Sequence, residues 1–379
     1  YGTKLSTWEK VGILTRCLKA IEHFSKYYDE VILYTYDYCE DLKKYVKILP
    51  RNVTFICMSQ GYPKIAYNII SLVKYRKKLK EAGIARSWQL WGSWVALLHK
   101  VIYKSKFILR QGFQFSLFAK NKSLLLYVLA TIYECLAYRM ADIIIVTTPK
   151  DKEYIAKKYK IKSSKIVVIP NWVDVELFKP MKKVKKERGK VVFVGRLEKQ
   201  KNILSLIDAV KDLSNVKLYV YGKGSLESKI RDKIRREGIK NVFIMGVIKN
   251  EFLPYELNTA EIFVLPSYYE GHPKALIEAM ACGLPVIGSD VEGIRDIIIN
   301  GKTGLLCSTS PESIREKIEF LLENPELRRK LGENARKYIV RHLSLKMIIE
   351  KELSIHKKLL TLVNGDDWPS EKSESEATC

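Results

Sequence analysis

Residues 261–307 constrain the fold of this chain more than any other stretch, because apolar runs and loops alternate there in a fixed order. Residues 261–266 form a short apolar run, which is typical of a buried strand in a parallel sheet. Pro273 is suited to the first turn of a following helix. Residues 284–288 are a second apolar run. The pattern predicts strand, loop, narrow helix, strand, short helix and strand.

Two carboxylates, Glu270 and Glu278, bracket the start and the middle of this predicted helix. Eight residues of helix span about 12 Å, and the first turn offers backbone N–H groups and a dipole that favour an anion. Hydroxyl pairs of a sugar bind carboxylates, so the order carboxylate, anion position, carboxylate fits a sugar diphosphate. From spacing alone, two solvated surface glutamates are an equally good interpretation.

The segment resembles the nucleotide-sugar signature of family 4 retaining glycosyltransferases, which have the GT-B fold. Glu270 and Glu278 match the two acids of E-x7-E, residues 279–287 match A-x-A-x-G-L-P-V-I, and residues 300–304 match N-G-x-T-G. Two other segments also match. Residues 195–201 are similar to G-R-L-x-x-x-K, and residues 170–180 are similar to P-N-G-V-D…F-x-P, with Trp172 in place of the usual glycine.

This resemblance implies an α/β protein of GT-B fold, with two Rossmann-like parallel-sheet domains facing across a cleft and C-terminal helices closing the structure. We expect an acceptor-side domain over residues 1–180, a charged linker over 181–190 and a nucleotide-sugar-binding domain over 191–345. A closing helix over 346–363 and a disordered tail over 364–379 follow. The first domain of this fold opens with a strand, whereas this sequence opens within the loop after it, so we expect that strand to be absent.

The resemblance also implies the role of each site residue. Arg196 and Lys201 would neutralise the leaving diphosphate, as a bidentate fork and a point charge can. Glu270 would bind the donor sugar and Glu278 the ribose. Val247 and Ile248 would lie near the base. The remaining donor-binding candidates are Gly195 and Gly222, which follow strands, and the residues of the helix start, namely Gly271, His272, Pro273, Lys274 and Ala275.

Two features of the sequence leave alternatives open. Gly222 and Gly224 match a family G-x-G turn, which could approach the nucleotide or only close a turn between a strand and a helix. Arg110, Gln111 and Gly112 stand where many family members have a histidine near the sugar, so the acceptor-side catalytic residue is unassigned. No D-x-D metal box occurs in a suitable context. We therefore expect neither a metal nor another cofactor.

The charge of +24 is unevenly distributed. Residues 1–189 contain 36 Lys and Arg against 15 Asp and Glu, whereas the remainder is nearly balanced. A basic half indicates an anionic partner, for which an anionic membrane surface or a lipid-linked acceptor is favoured over nucleic acid. Residues 64–80 are a candidate membrane-surface helix, because a basic end follows an apolar stripe. The alternative is a solvated helix that packs its stripe inward.

Cysteine usage and hydropathy bear on localisation. The seven cysteines form no C-x-x-C pair or metal-like cluster, which favours a reduced, cytosolic setting. Glu134 interrupts the longest apolar run, residues 124–138, so we expect no spanning helix. We expect a cytoplasmic protein, peripheral at the inner face of the cell membrane.

The combined prediction is a metal-independent retaining hexosyltransferase that moves a sugar from a UDP- or GDP-linked donor to a glycan or a lipid-linked acceptor. A nucleotide-sugar epimerase of the same fold is a second hypothesis. A non-catalytic binding protein, whose basic half binds membrane or RNA, is a third. The sequence does not specify the sugar, the base, the acceptor or the oligomeric state.

Overall fold

The structure is a computed structural model, and it describes residues 4–58, 63–112, 114–120 and 122–361. The strands of this part are β1 Val31–Tyr38, β2 Val53–Met58, β3 Ile84–Arg86, β4 Lys106–Arg110, β5 Ile143–Val146, β6 Ile166–Val168, β7 Lys190–Val194, β8 Lys217–Tyr221, β9 Val242–Gly246, β10 Ile262–Leu265, β11 Val286–Ser289 and β12 Leu305–Cys307.

The helices of the same part are α1 Leu5–Lys10, α2 Leu14–Ser25, α3 Lys43–Val46, α4 Lys64–Lys74, α5 Arg76–Glu81, α6 Ser93–Tyr103, α7 Phe115–Lys120, α8 Leu124–Met140, α9 Pro149–Tyr159, α10 Ile203–Val210, α11 Glu227–Arg236, α12 Leu253–Thr259, α13 Lys274–Ala281, α14 Glu292–Arg295, α15 Pro311–Glu323, α16 Pro325–His342 and α17 Leu345–Thr361. Single 3₁₀ turns form at Leu90–Gly92, Ser163–Lys165 and Lys199–Lys201.

The chain divides into two compact units. Of the described residues, the first unit takes 4–7, those within 20–170, and 349–361, and the second takes 8–19 and 171–348. The division falls before the boundary expected at residue 180. Residues 181–189 are also held on the second unit: the backbone N–H groups of Met181 and Glu187 donate to Asn258 Oδ1 and the Thr259 carbonyl, over 2.7 and 2.8 Å. The expected tail over 364–379 lies outside the described residues.

The first unit contains two parallel sheets, β1–β2 and β3–β4–β5–β6. The order of these strands matches that of a doubly wound sheet in which one further strand would lie between β1 and β3. No described strand occupies that position, and β1 and β3 instead line one cavity of about 440 Å³. The core against the larger sheet is formed by Phe107, Leu109 and Ile144 together with Tyr138.

Arg110 is a structural residue of the first unit. It is buried to 8% exposure, and its Nη1 donates to Glu352 Oε2 of α17 over 3.0 Å. Arg86 Nε donates to the other oxygen of Glu352 over 2.5 Å. Gln111 is buried as well and accepts a hydrogen bond of 3.0 Å from the Tyr138 hydroxyl. The residues at the position of the family histidine therefore hold the first unit together.

Two features of the first unit differ from what the sequence indicated. The helix predicted over 64–80 is broken at Tyr75 into α4 and α5, whose Leu72 and Leu79 are buried. A disulfide joins Cys39 and Cys57, with Cα atoms 5.2 Å apart, because β1 and β2 run side by side. The cysteine pattern, which favoured a reduced setting, did not indicate this pair.

The second unit is a six-stranded parallel sheet in the order β12-β11-β10-β7-β8-β9. The strands predicted over 261–266 and 284–288 are confirmed as β10 and β11, with bounds shifted by one or two residues. Strand β7 comes first in the unit and lies between β10 and β8, so the direction of strand order reverses between β7 and β10. Loops leaving two such strands diverge and open a crevice at the carboxyl edge of the sheet, where ligands bind in open α/β sheets.

Candidate functional site

The crevice at the carboxyl ends of β7 and β10 brings together the two strongest motifs of the sequence. Residues 195–201 leave β7, and residues 266–273 leave β10. Lys201 Nζ forms an ion pair with Glu270 Oε1, although 69 residues separate them. Their side chains are only 13% and 6% exposed. The structure thus joins a cation predicted to contact a diphosphate to a carboxylate predicted to contact a sugar.

Glu270 lies in the loop before α13 and not on the helix. Ser267 Oγ donates to Glu270 Oε1 over 2.6 Å, so one carboxylate oxygen has both a hydroxyl and an ammonium partner. Glu278 is on α13, which begins only at Lys274. The two acids therefore do not share a helix, and the spacing expected from a continuous helix does not apply. The loop, which no periodic pattern describes, sets the position of Glu270.

Several residues that the sequence did not single out hold this loop. Asn202, in the left-handed conformation at φ 52°, donates from Nδ2 to the Pro266 and Thr309 carbonyls over 3.1 and 2.8 Å. Gln200 Nε2 donates to the Tyr269 carbonyl over 2.8 Å. A Cβ on Gly293 would lie 1.9 Å from the Gly271 carbonyl oxygen, so only glycine fits there. Gln200 lies within the motif of residues 195–201 and Asn202 directly follows it, so the motif is the sequence signal that could have indicated both.

The glycine turn after β8 packs against the Lys201 loop. A Cβ on Gly222 would lie 1.8 Å from the Gly195 carbonyl oxygen, and one on Gly224 would lie 2.4 Å from that of Leu197. The Leu197 N–H donates to the Lys223 carbonyl over 3.0 Å, and Leu226 N–H donates back to Leu197 over 2.9 Å. Close backbone packing thus accounts for both glycines. They shape the loop that carries Arg196 and Lys201.

Gly224→Ala is expected to lower the free energy of unfolding by about 1–3 kcal/mol, because the new methyl group overlaps backbone and not a movable side chain. Urea unfolding of both variants measures the effect. Gly92→Ala is the control, because no atom lies within 4 Å of its Cβ position. Equal midpoints for the two variants would contradict the packing role.

Glu278 is buried on α13 and has a cationic partner that the sequence did not indicate. Arg16 Nη2 of α2 lies 3.2 Å from Glu278 Oε1, and Asn250 Nδ2 lies 3.4 Å from the same atom. Burial raises the pKa of Glu278, and Arg16 and Lys274 oppose that rise by charge. The adjoining cavity measures about 10 Å³, which is about the space of one water and far too small for a ribose.

Residues 8–19 form part of the same site within the second unit. Gly12, at φ 73°, packs against the Ile248 carbonyl, and its own carbonyl accepts a 3.1 Å hydrogen bond from the Asn250 N–H. Burial raises the pKa of the Cys17 thiol to about 11, although the nearby charges of Arg16 and Lys274 act to lower it. The segment around Gly12 therefore lies against the loop predicted to contact the base.

The other predicted residues lie around this crevice. Arg196 is exposed, and its Nη2 is 3.4 Å from Gln200 Oε1. Val247 is 47% exposed after the end of β9. The segment Gly271, His272, Pro273, Lys274 and Ala275 connects Glu270 to α13, and the His272 carbonyl accepts a 2.7 Å hydrogen bond from Asn171. Among the described residues, no three His, Cys, Asp or Glu side chains are grouped as metal ligands.

Comparison with known proteins identifies the family of this chain. Residues 174–338 match the model of the glycosyl transferases group 1, and residues 12–177 match that of glycosyltransferase family 4. The chain is 36% identical over 149 residues to an uncharacterized glycosyltransferase of Methanocaldococcus jannaschii, covering 39% of this chain and 42% of that protein. It is 33% identical over 174 residues to the UDP-Gal:alpha-D-GlcNAc-diphosphoundecaprenol alpha-1,3-galactosyltransferase of Escherichia coli, covering 41% and 45%.

A solved structure with a similar fold is the sucrose-phosphate synthase of Thermosynechococcus elongatus. Its TM-score is 0.77 at 20% identity, over 92% of this chain and 93% of that one. The fold is GT-B, with two Rossmann-like domains, as the sequence predicted. The two family models together cover residues 12–338, and the chain belongs to the family 4 glycosyltransferases. Matches to the first three curated relatives span 42–60% of their lengths.

Proposed function

We propose that this protein is a retaining hexosyltransferase that moves a sugar from a nucleoside-diphosphate donor to a glycan or a lipid-linked acceptor. The observation that carries the proposal is the Lys201–Glu270 pair in the crevice between β7 and β10. A cation and a carboxylate held next to each other match the two ends of a sugar diphosphate. The family supports this chemistry, and the Escherichia coli relative is named for a UDP-linked sugar and a diphosphoundecaprenol acceptor.

In this proposal the chain's own cations stabilise the departing diphosphate without a metal. Negative charge grows on that group in an oxocarbenium-like transition state, and preorganised donors act most strongly there. Arg196 is exposed, whereas the side chain of Lys201 is largely buried. Glu270 binds hydroxyls of the donor sugar through Oε2, because Ser267 and Lys201 both contact its Oε1.

Ribose binding by Glu278 requires a change in the second unit. Arg16 contacts this carboxylate, and the adjoining cavity of about 10 Å³ cannot admit a sugar ring. The Arg16–Glu278 contact therefore opens when the donor binds, and the hydroxyls of the ribose replace the guanidinium. Asn250, which also contacts Glu278, remains as the neighbour that orients it.

The acceptor and the place of reaction follow from charge. Residues 1–189 carry a large excess of Lys and Arg, which suits an anionic membrane surface or a phosphate-containing lipid-linked acceptor. No described helix is long and apolar enough to cross a bilayer. We place the enzyme at the cytoplasmic face of the membrane, as a peripheral protein.

Nucleotide-dependent stabilisation tests the donor and the metal-free mechanism together. One of UDP, GDP and ADP, at about 100 times its dissociation constant, should stabilise the wild type by about 2.7 kcal/mol, and EDTA should not change this. Arg196→Ala should bind at least about tenfold more weakly, because it loses charge-assisted hydrogen bonds. Thermal melting of both proteins with each nucleotide measures the effect.

The matched control is Arg188→Ala, which removes an exposed arginine from the amino end of β7 and should bind as the wild type does. Equal affinity of the Arg196 and Arg188 variants would exclude a diphosphate contact by Arg196. Loss of stabilisation with EDTA would exclude the metal-free mechanism. Release of UDP or GDP from the sugar donor then separates a transferase from a binding protein.

A further inference from the structure

Helix α8 presents a broad apolar face to the outside of the first unit. Its large aliphatic side chains recur at positions that share one side of a helix, and they are between 44% and 78% exposed: Leu124, Leu125, Val128, Leu129, Ile132 and Leu136. Soluble proteins rarely leave so many neighbouring large apolar groups in water unless the surface binds something. The apolar run over 124–138 does not by itself indicate which side of this helix is covered.

The orientation of α8 is fixed by its opposite side. Glu134 is fully buried and accepts hydrogen bonds from the Ser116 N–H, over 2.9 Å, and from the Tyr159 hydroxyl. Ala137 and Tyr138 pack into the core of the unit. Rotating the helix to cover its outer side chains would expose these groups and leave a carboxylate without its partners. The outer face is therefore a stable feature of the fold.

Two neighbouring side chains extend this surface. Leu117 of α7, which packs on α8, is 47% exposed. Trp91 is 37% exposed, and its ring centroid lies 4.5 Å from that of Phe115 and 6.1 Å from that of Tyr133 on α8. Tryptophan favours the boundary between headgroups and acyl chains. We call Trp91, Leu117 and the six aliphatic residues of the helix the α8 face.

The exposed charges that flank the α8 face along the chain are positive. Lys120 and Lys122 are exposed just before the helix, and Arg139 is exposed in its last turn. The acid within the helix, Glu134, is buried. The acid that follows the helix, Asp142, is paired with Lys100 over 2.6 Å. Apolar groups flanked by cations fit an anionic lipid surface, where acyl chains and phosphate headgroups lie side by side.

We propose that the α8 face docks this protein on an anionic bilayer, with α8 lying parallel to the surface. The helix has 17 residues and is about 25 Å long. Because its other side belongs to the protein core, it can enter the headgroup region but cannot cross the membrane. The inference deepens the proposed function by naming the surface that would bring the donor site to a lipid-linked acceptor.

Vesicle sedimentation of the full chain tests the proposal. The wild type should bind phosphatidylcholine vesicles that contain phosphatidylglycerol, and should bind pure phosphatidylcholine more weakly. Leu129→Ser with Ile132→Ser should weaken binding by about tenfold or more, since two aliphatic side chains no longer enter the acyl region. The matched control is Ile69→Ser with Val73→Ser. It removes two exposed aliphatic residues from α4, which belongs to the candidate membrane-surface helix predicted over residues 64–80. This variant should bind as the wild type does.

The outcomes separate this inference from the proposed function. All four positions are exposed, so both variants should melt as the wild type does and keep its stabilisation by nucleotide. Equal vesicle binding by the α8 variant and the wild type overturns the proposal, as does a loss confined to the α4 variant. A wild-type dimer that the α8 variant converts to a monomer also overturns it, because the face would then contact a second copy of the chain.

Discussion

Glu352→Ala is expected to lower the free energy of unfolding by about 3–5 kcal/mol, the cost of breaking a buried ion pair by removing one partner. Glu352 is 1% exposed and bonds to both Arg86 and Arg110, over 2.5 and 3.0 Å. Its removal leaves Arg110 charged in a site where burial already lowers the pKa of the guanidinium. The urea midpoint of the chain measures the loss.

The control for this prediction is Glu350→Ala, which removes an exposed glutamate from the same helix and should change stability by no more than about 0.5 kcal/mol. Glu352→Gln serves as a second variant, since it keeps the shape of the side chain and removes only the charge. Equal midpoints for the Glu352 and Glu350 variants would show that the ion pairs do not stabilise the first unit.

The pH dependence of this contribution has a defined sign. Burial raises the pKa of Glu352, but the charges of Arg86 and Arg110 outweigh it, so the net pKa lies well below the usual range. A lowered pKa stabilises the folded state above the pKa of the unfolded chain, about 4.3. The difference between wild type and Glu352→Gln should therefore be full at neutral pH, begin to shrink as the pH falls below about 4.3, and be lost as the pH falls through the lowered pKa of the folded state.

Lys201→Ala is expected to reduce kcat/KM by about 10²–10³-fold, the usual effect of removing one preorganised donor from a developing negative charge. Lys201 is 13% exposed, so little water screens its charge. The variant also deprives Glu270 of its cation and leaves Ser267 as the partner of that carboxylate. The rate is measured as release of nucleotide from a sugar donor, chosen to contain the nucleotide that stabilises the wild type.

Lys199→Ala is the matched control, because Lys199 is an exposed lysine in the same 3₁₀ turn. It should retain wild-type activity. Far-UV circular dichroism and the urea midpoint verify that both variants are folded. If Lys201→Ala were as active as Lys199→Ala, the Lys201–Glu270 pair would be structural, and the proposed function would lose the observation that carries it.

The arrangement of cations distinguishes structural from functional charge in this basic protein. Arg86 and Arg110 form buried pairs with Glu352, and Lys190 is buried against Glu187 and Glu256 at 2.9 and 3.0 Å. Arg196 and the lysines beside α8 are exposed. Lys120 and Lys122, in the basic first half, thus lie at the surface, where they can meet an anionic acceptor or lipid.

The sequence by itself determined the fold of the second unit and the loops that carry the candidate site. Apolar runs separated by helical patterns predict a parallel sheet, and the carboxyl ends of its strands lie at one edge. Residues 195–201 and Glu270 follow two such strands directly, so their meeting could be expected from local patterns. The family resemblance added the roles of Arg196, Lys201 and Glu270, which the structure leaves as proposals.

Only the tertiary structure decided which distant residues pair and which faces are covered. Arg16 with Glu278, and Arg110 with Glu352, join residues far apart in the chain, and no local pattern records such a pairing. Helix α8 is apolar on nearly all sides, so its periodicity cannot tell its inner face from its outer one. The buried partners of Glu134 settle that question, because they fix the rotation of the helix and leave its aliphatic side chains outside.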